Sequence, residues 1–114
     1  RQPCWKLARR WRIKDLAARA QATGRTGWYF RVLQEGYVEK GQPIIRIEQP
    51  FPEWTVARCN EVMHVYRHDR QLAAQLASCP LLAENWGKTL TKRAEHGKNS
   101  DPEKRLVGPN RADM

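Results

Sequence analysis

The chain has 114 residues, five tryptophans and a formal net charge of +9, which leaves room for one domain or for a small domain and part of another. It contains no apolar run of about 18 residues, so no segment is predicted to span a membrane. Its three cysteines follow neither a zinc-finger nor a disulfide-framework spacing, a pattern typical of free thiols in a reducing compartment. We therefore expect a cytoplasmic protein.

The positive charge is concentrated at the start of the chain. Residues 1–31 hold nine Lys or Arg residues and one acid, Asp15, for a net charge of +8, whereas residues 32–114 carry +1. A basic segment of this kind suits an anionic partner, meaning a phosphate, a phosphorylated cofactor or a nucleic acid. A solvated basic face explains the same pattern equally well.

The first predicted elements are a loop and a short helix. Residues 1–12 are predicted to be extended or looped, because Pro3 fixes its own φ and disfavours a helical conformation at Gln2. The stretch "IKDLAARAQATG", residues 13–24, has the apolar spacing of an amphipathic helix, and Gly24 suits its C-terminal cap.

The pattern then changes to one typical of strands. Alternating apolar residues predict β-strands at 28–34 and 43–48, separated by the turn residues "EKGQP". Pro50 and Pro52 then mark a boundary.

Beyond the prolines the chain is predicted to be helical. Helices are expected at about 54–67, 69–78 and 80–96, and a loose polar segment at 98–114. Two strands and one helix cannot close a sheet, whereas three helices can form a small bundle. We therefore interpret the fold as α+β, with part of a β domain followed by a helical domain.

Several motifs together resemble one family. "RQPCWKL" at residues 1–7, "GRTGWYFRVLQEG" at 24–36, "GKTLTKRAEHGK" at 87–98 and "EKRLVG" at 103–108 are similar to the YiiM-type MOSC proteins, in which a β-barrel precedes a three-helix domain. The resemblance implies that residues 1–49 are the C-terminal part of a MOSC barrel. Residues 50–97 would be the three-helix domain, and 98–114 an irregular tail.

The resemblance also implies a function. It predicts a protein that binds molybdenum cofactor (molybdopterin) and reduces small N-hydroxylated compounds, such as hydroxylamino-purines, with electrons from a redox-protein partner. Cys4 would be the catalytic residue and the thiolate ligand of molybdenum. Candidates for holding the cofactor or substrate charge are Arg1, Lys6, Arg9 and Arg10. By looser analogy, MOSC domains are also described as sulfur carriers, and some are associated with pyridoxal phosphate, but no lysine here stands out as a Schiff-base residue.

The residues around Cys4 are compatible with this role but do not require it. Thiolate is a soft ligand suited to a redox metal, and neighbouring positive charge favours its deprotonation. On its spacing alone, Cys4 is better explained as a buried structural thiol, and it is the family resemblance that favours the ligand role. Cys59 falls on an apolar helical stripe and is predicted to pack in a core, and Cys79 lies at a helix end.

Three further readings stay open. Glu61, His64 and His68 share one helical face and are chemically capable of binding a metal, but they lie opposite the apolar stripe and have no evident fourth ligand. The basic segment could instead form a non-catalytic nucleic-acid-binding module. The three helices could also mediate a homodimer or dock an electron donor. We expect the 114-residue chain alone to be inactive, and to fold poorly or self-associate through strand edges.

Overall fold

The computed structural model describes residues 1–110, and the regular structure in this range is entirely helical. In chain order the helices are α1 (Trp5–Trp11), α2 (Leu16–Thr23), α3 (Val56–Asn60), a π-helical turn (Glu61–Val65), α4 (Arg70–Ala77), α5 (Glu84–His96) and α6 (Pro102–Leu106).

The N-terminal helices form because their sequences favour helix, and each ends at a residue in the left-handed conformation, Arg12 for α1 and Gly24 for α2. Helix α1 consists mainly of Lys, Leu, Ala and Arg, which are good helix formers, so the predicted loop at 1–12 is wrong from Trp5 onwards. Helix α2 confirms the predicted helix at 13–24 and ends at Gly24, whose φ of 70° is the left-handed conformation that glycine adopts without strain.

Helices α3, α4 and α5 and the π-helical turn build the core. Its fully buried side chains are Val62, Met63, Ala73, Leu76 and Leu90. Thr55 and Asp69 cap α3 and α4 by accepting hydrogen bonds from backbone N–H groups three residues ahead. These helices confirm the helical prediction beyond the prolines, although the helix predicted at about 54–67 is divided between α3 and the π-helical turn.

A buried arginine accompanies the π-helical turn. In this turn the Tyr66 N–H donates to the Glu61 carbonyl, five residues back, at 2.9 Å. The Val62 and Met63 carbonyls instead accept from the Arg93 guanidinium of α5, at 2.6 and 2.8 Å. Arg93 therefore ties α5 to the irregular turn through the backbone.

The predicted strands at 28–34 and 43–48 are wrong. Within the described residues no strand forms, and Leu33, Ile44 and Ile47 are 89%, 91% and 91% exposed. Alternation determines which side chains share a face, but a strand also needs a neighbour with which to exchange backbone hydrogen bonds. No described segment supplies one. An all-helical architecture therefore replaces the α+β fold with barrel strands.

The end of the chain contains an unexpected helix. The sequence predicted a loose segment at 98–114, but α6 forms with Asp101 as its N-cap and Pro102 at its first turn. Asp101 accepts a hydrogen bond from the Glu103 N–H at 2.9 Å. Helix α6 and the turn after it pack against residues 3–5, here called the Cys4 loop. The last four residues of the predicted tail lie outside the described part of the chain.

Candidate functional site

Cys4 lies at the start of α1 with a free, half-buried thiol. Its backbone is extended, and its carbonyl accepts a hydrogen bond from the Leu7 N–H at 3.0 Å, which begins the helix. The side chain makes no capping hydrogen bond. The sulfur is therefore not used in forming α1 and remains available as a ligand.

A cleft of about 1120 Å³ opens beside Cys4. All three cysteines of the chain lie on its wall. Six aromatic residues line it: Trp28, Tyr29, Phe30, Phe51, Trp54 and Trp86. Flat apolar rings with a few polar groups among them are typical of sites that bind planar organic molecules.

Of the four predicted cationic residues, the structure brings only Arg1 to this cleft. Its guanidinium lies over the Tyr29 ring, 5.1 Å from the centroid. Lys6, Arg9 and Arg10 lie on the exposed face of α1, away from the cleft-lining residues. Arg10 stacks on Trp11 at 5.0 Å. A role for these three side chains in binding the cofactor stays a prediction.

Sequence reasoning missed Arg105, a half-buried residue of α6 beside Cys4. Its Nη1 donates to the Pro3 carbonyl and its Nη2 to Gln21 Oε1, both at 2.6 Å. Burial lowers the pKa of Arg105, and the nearby Cys4 sulfur acts in the opposite direction. The segment "EKRLVG" carried part of the family resemblance, but no spacing rule links residues about a hundred positions apart.

Asn60 was also missed. Its Nδ2 donates to the Gly24 carbonyl at 3.0 Å and to Thr26 Oγ1 at 3.3 Å, which fixes the orientation of the amide. The residue lies on the cleft wall and is 5% exposed, and its Oδ1 has no partner among the described residues. A buried acceptor without a partner is unfavourable, and a donor on a bound molecule would relieve that cost.

The other two cysteines are free, half-buried thiols. Cys59 packs against the core, as predicted. Burial raises the pKa of Cys59, and the neighbouring Cys79 raises it further. The surroundings of Cys59 therefore disfavour its thiolate form.

The side chains of Glu61, His64 and His68, the candidate metal ligands, are not brought together. Glu61 instead pairs with Arg58 at 2.9 Å, and His64 packs edge-on against Trp86 with the ring centroids 6.2 Å apart. Burial and the nearby Arg105, Arg93 and Arg67 lower the pKa of His64 to about 4. Over residues 1–110 no group of three His, Cys, Asp or Glu side chains is placed to hold a metal ion.

None of the described helices has the length and apolar character needed to span a bilayer.

Comparison with known protein families identifies two regions of the chain. Residues 1–45 match the model of the MOSC domain, and residues 54–97 match the model of the YiiM-like 3-alpha helix domain. The chain belongs to the YiiM-like MOSC family.

Individual relatives support this assignment. The chain is 31% identical to protein YiiM of Escherichia coli over 95% of its own length, and 30% identical to YflK of Bacillus subtilis over 83%. A protein of Gibberella moniliformis named "Reductase" is 35% identical over 71% of the chain. A crystal structure of an hypothetical protein matches 96% of this MOSC chain with a TM-score of 0.89 and 30% identity, and the match covers 51% of that structure.

The MOSC chain spans only part of these relatives. It covers 48% of YiiM, 43% of YflK and 14% of the Gibberella reductase. The MOSC domain is associated with molybdenum cofactor.

Proposed function

We propose that this chain belongs to a MOSC oxidoreductase that binds molybdenum cofactor and reduces N-hydroxylated compounds such as hydroxylamino-purines. The observation that carries the proposal is the free, half-buried Cys4 thiol on the wall of an aromatic cleft in a MOSC-family chain. The reductase name of the Gibberella relative agrees with the reaction class.

The residues present fit the proposed cofactor. A thiolate is a soft donor for a redox metal, and Cys4 offers a free, half-buried sulfur on the cleft wall. Cys4 would ligate molybdenum, which supplies two-electron oxygen-transfer chemistry when bound. Arg1 and Arg31 on the cleft wall would attract the negative charge of the cofactor phosphate. Asn60 Oδ1 would accept a hydrogen bond from a ring N–H group.

The aromatic wall has a separate part in the proposal. Trp28 and Phe30 contact each other edge-to-face, with centroids 6.1 Å apart, and together with Trp54 they give the cleft flat apolar surfaces. Such surfaces are suited to stacking on a planar purine ring. We propose that the cofactor carries the redox step and that a redox-protein partner supplies the electrons.

Replacing Cys4 by Ser is expected to lower reduction of a hydroxylamino-purine by about a hundredfold or more, because loss of a ligand should cost at least as much as loss of its supporting groups. The assay uses the native protein containing this chain, made in a host that supplies the cofactor, with a reduced viologen as electron donor. Cys79→Ser is the matched control, since Cys79 is a free thiol on the same cleft. Equal activity of Cys4→Ser and Cys79→Ser would contradict the proposal.

The exposed face of α1 favours a second candidate, the basic nucleic-acid-binding module. Lys6, Arg9 and Arg10 are exposed there, and Trp11 is 60% exposed beside Arg10, which is suited to stacking on a base. This function predicts binding of single-stranded DNA that weakens steeply with salt and is unchanged in Cys4→Ser. Binding that is absent at low salt would exclude it.

A further inference from the structure

The last described residues return to the loop that carries Cys4. Arg105 holds the Pro3 carbonyl on one side of Cys4, and Asn110 Nδ2 donates to the Trp5 carbonyl on the other side at 2.7 Å. Asn110 is 1% exposed and Arg105 is half-buried. The carbonyls of both residues flanking Cys4 are therefore bound by side chains from the other end of the described chain.

Gly108 brings the same two segments into direct contact. A Cβ atom on this residue would overlap Cδ1 of the Trp5 indole, closer than real Cβ contacts allow. Its φ of +50° also favours glycine. The Trp5 ring is thus packed directly on the Gly108 backbone, between the contacts made by Arg105 and Asn110.

We propose that residues 102–110 form a C-terminal latch that positions Cys4, with Arg105 as the main positioning residue. This inference rests on the proposed function, because it assigns to the latch the task of holding the ligand thiol. A metal ligand works only in a narrow range of positions, and groups around it commonly fix that position. The rigid two-donor fork of arginine suits this task better than a single flexible donor.

Gln21 extends the latch to α2. It accepts from Arg105 Nη2 at 2.6 Å, so one guanidinium joins the Cys4 loop to the second helix as well as to α6. Loss of Arg105 would remove the hydrogen bonds to Pro3 and Gln21 together, leaving the contacts of Trp5 with Gly108 and Asn110 in place. Lys104, the preceding residue, is exposed, so changing it removes the same charge from the same helix without touching these contacts.

Hydrogen exchange of the native protein containing this chain tests the latch whether or not molybdenum is bound. We expect Arg105→Gln to accelerate exchange of the amides of residues 5–11 by about tenfold, and to leave α4 and α5 unchanged, because local opening exposes only the freed segment. Lys104→Gln should match the wild type. Asn110→Ala should accelerate hydrogen exchange of the same amides without altering the net charge of the protein.

Spectroscopy of the molybdenum-loaded protein distinguishes positioning from a structural role. Arg105→Gln should change the electron paramagnetic resonance signal of molybdenum(V), and Lys104→Gln should not. If the wild type holds no molybdenum, the proposed function fails, while the exchange experiment still decides whether the latch exists. The latch is overturned if the amides of residues 5–11 exchange at the same rate in Arg105→Gln, Asn110→Ala and Lys104→Gln. It is also overturned if either of the first two substitutions accelerates exchange in α4 and α5 as much as in residues 5–11. If Arg105→Gln does not fold, Asn110→Ala decides alone.

Discussion

Replacing Arg93 by Met is expected to lower the free energy of unfolding by about 3 kcal/mol or more, since it leaves several buried acceptors without donors. Arg93 is 2% exposed and donates to the Val62 and Met63 carbonyls and, through Nε, to Asn99 Oδ1 at 2.5 Å. Asn99 Nδ2 in turn donates to the Arg67 carbonyl at 2.8 Å. Removing the guanidinium would therefore disturb the π-helical turn, α5 and the chain beyond it together.

The Arg93 site contains a buried cation held by neutral oxygens. Burial lowers the pKa of Arg93, and Arg67 acts in the same direction. The carbonyls that it binds carry partial negative charge, which substitutes for a carboxylate. Arg93→Lys should fall between wild type and Arg93→Met, because one ammonium cannot reach all three acceptors.

Urea unfolding of the Arg93 variants measures the effect. Lys92→Met is the matched control, since Lys92 is the adjacent cation of α5 and is exposed. If Arg93→Met and Lys92→Met each lower the free energy of unfolding by less than about 1 kcal/mol, Arg93 does not tie the helices together.

Acidification is expected to destabilise the fold through His64. Its folded pKa is about 4, below its usual 6.5, with burial as the main cause. The unfolded chain therefore takes up this proton at higher pH than the folded one. The stability contribution is complete above about pH 6.5 and is lost as the pH falls towards 4. Since the ring is partly exposed, we expect a loss of about 1–2 kcal/mol.

Urea unfolding at about pH 7 and about pH 4.5 tests this dependence. His64→Phe keeps a ring against Trp86 but cannot titrate, so its stability should fall less between the two pH values than that of the wild type. His68→Gln is the control, because His68 is exposed and should leave the wild-type difference unchanged. An equal pH difference in His64→Phe and wild type would contradict the assignment.

The helices were predicted where the relevant signals are local. Helix α2 ends at Gly24 and α5 at Gly97, and both ends can be located from glycine preference and apolar spacing alone. The π-helical turn was not predicted, because it depends on carbonyls bound by Arg93, 30 or 31 residues away. The strand predictions at 28–34 and 43–48 were wrong for a related reason. A strand needs a neighbouring strand to pair with, and the alternation of apolar residues does not show whether one is present.

The candidate site divides in the same way. Cys4 was identified by the motif around it, and its free thiol on the cleft wall is compatible with the role that the resemblance implied. Arg105 and Asn60 are brought to the site by folding, from α6 and α3, and nothing in their local sequence marks them. Conversely, Lys6, Arg9 and Arg10 were chosen because they are near Cys4 in sequence. A helix turned them away from the cleft.

Molybdenum content by elemental mass spectrometry tests the central claim most directly. The native protein containing this chain, purified from a host that makes the cofactor, would be compared with Cys4→Ala and Cys79→Ala. We predict close to one molybdenum per chain in the wild type and in Cys79→Ala, and a large loss in Cys4→Ala. Molybdenum absent from all three proteins, or equally present in all three, would contradict the assignment of Cys4 as the ligand.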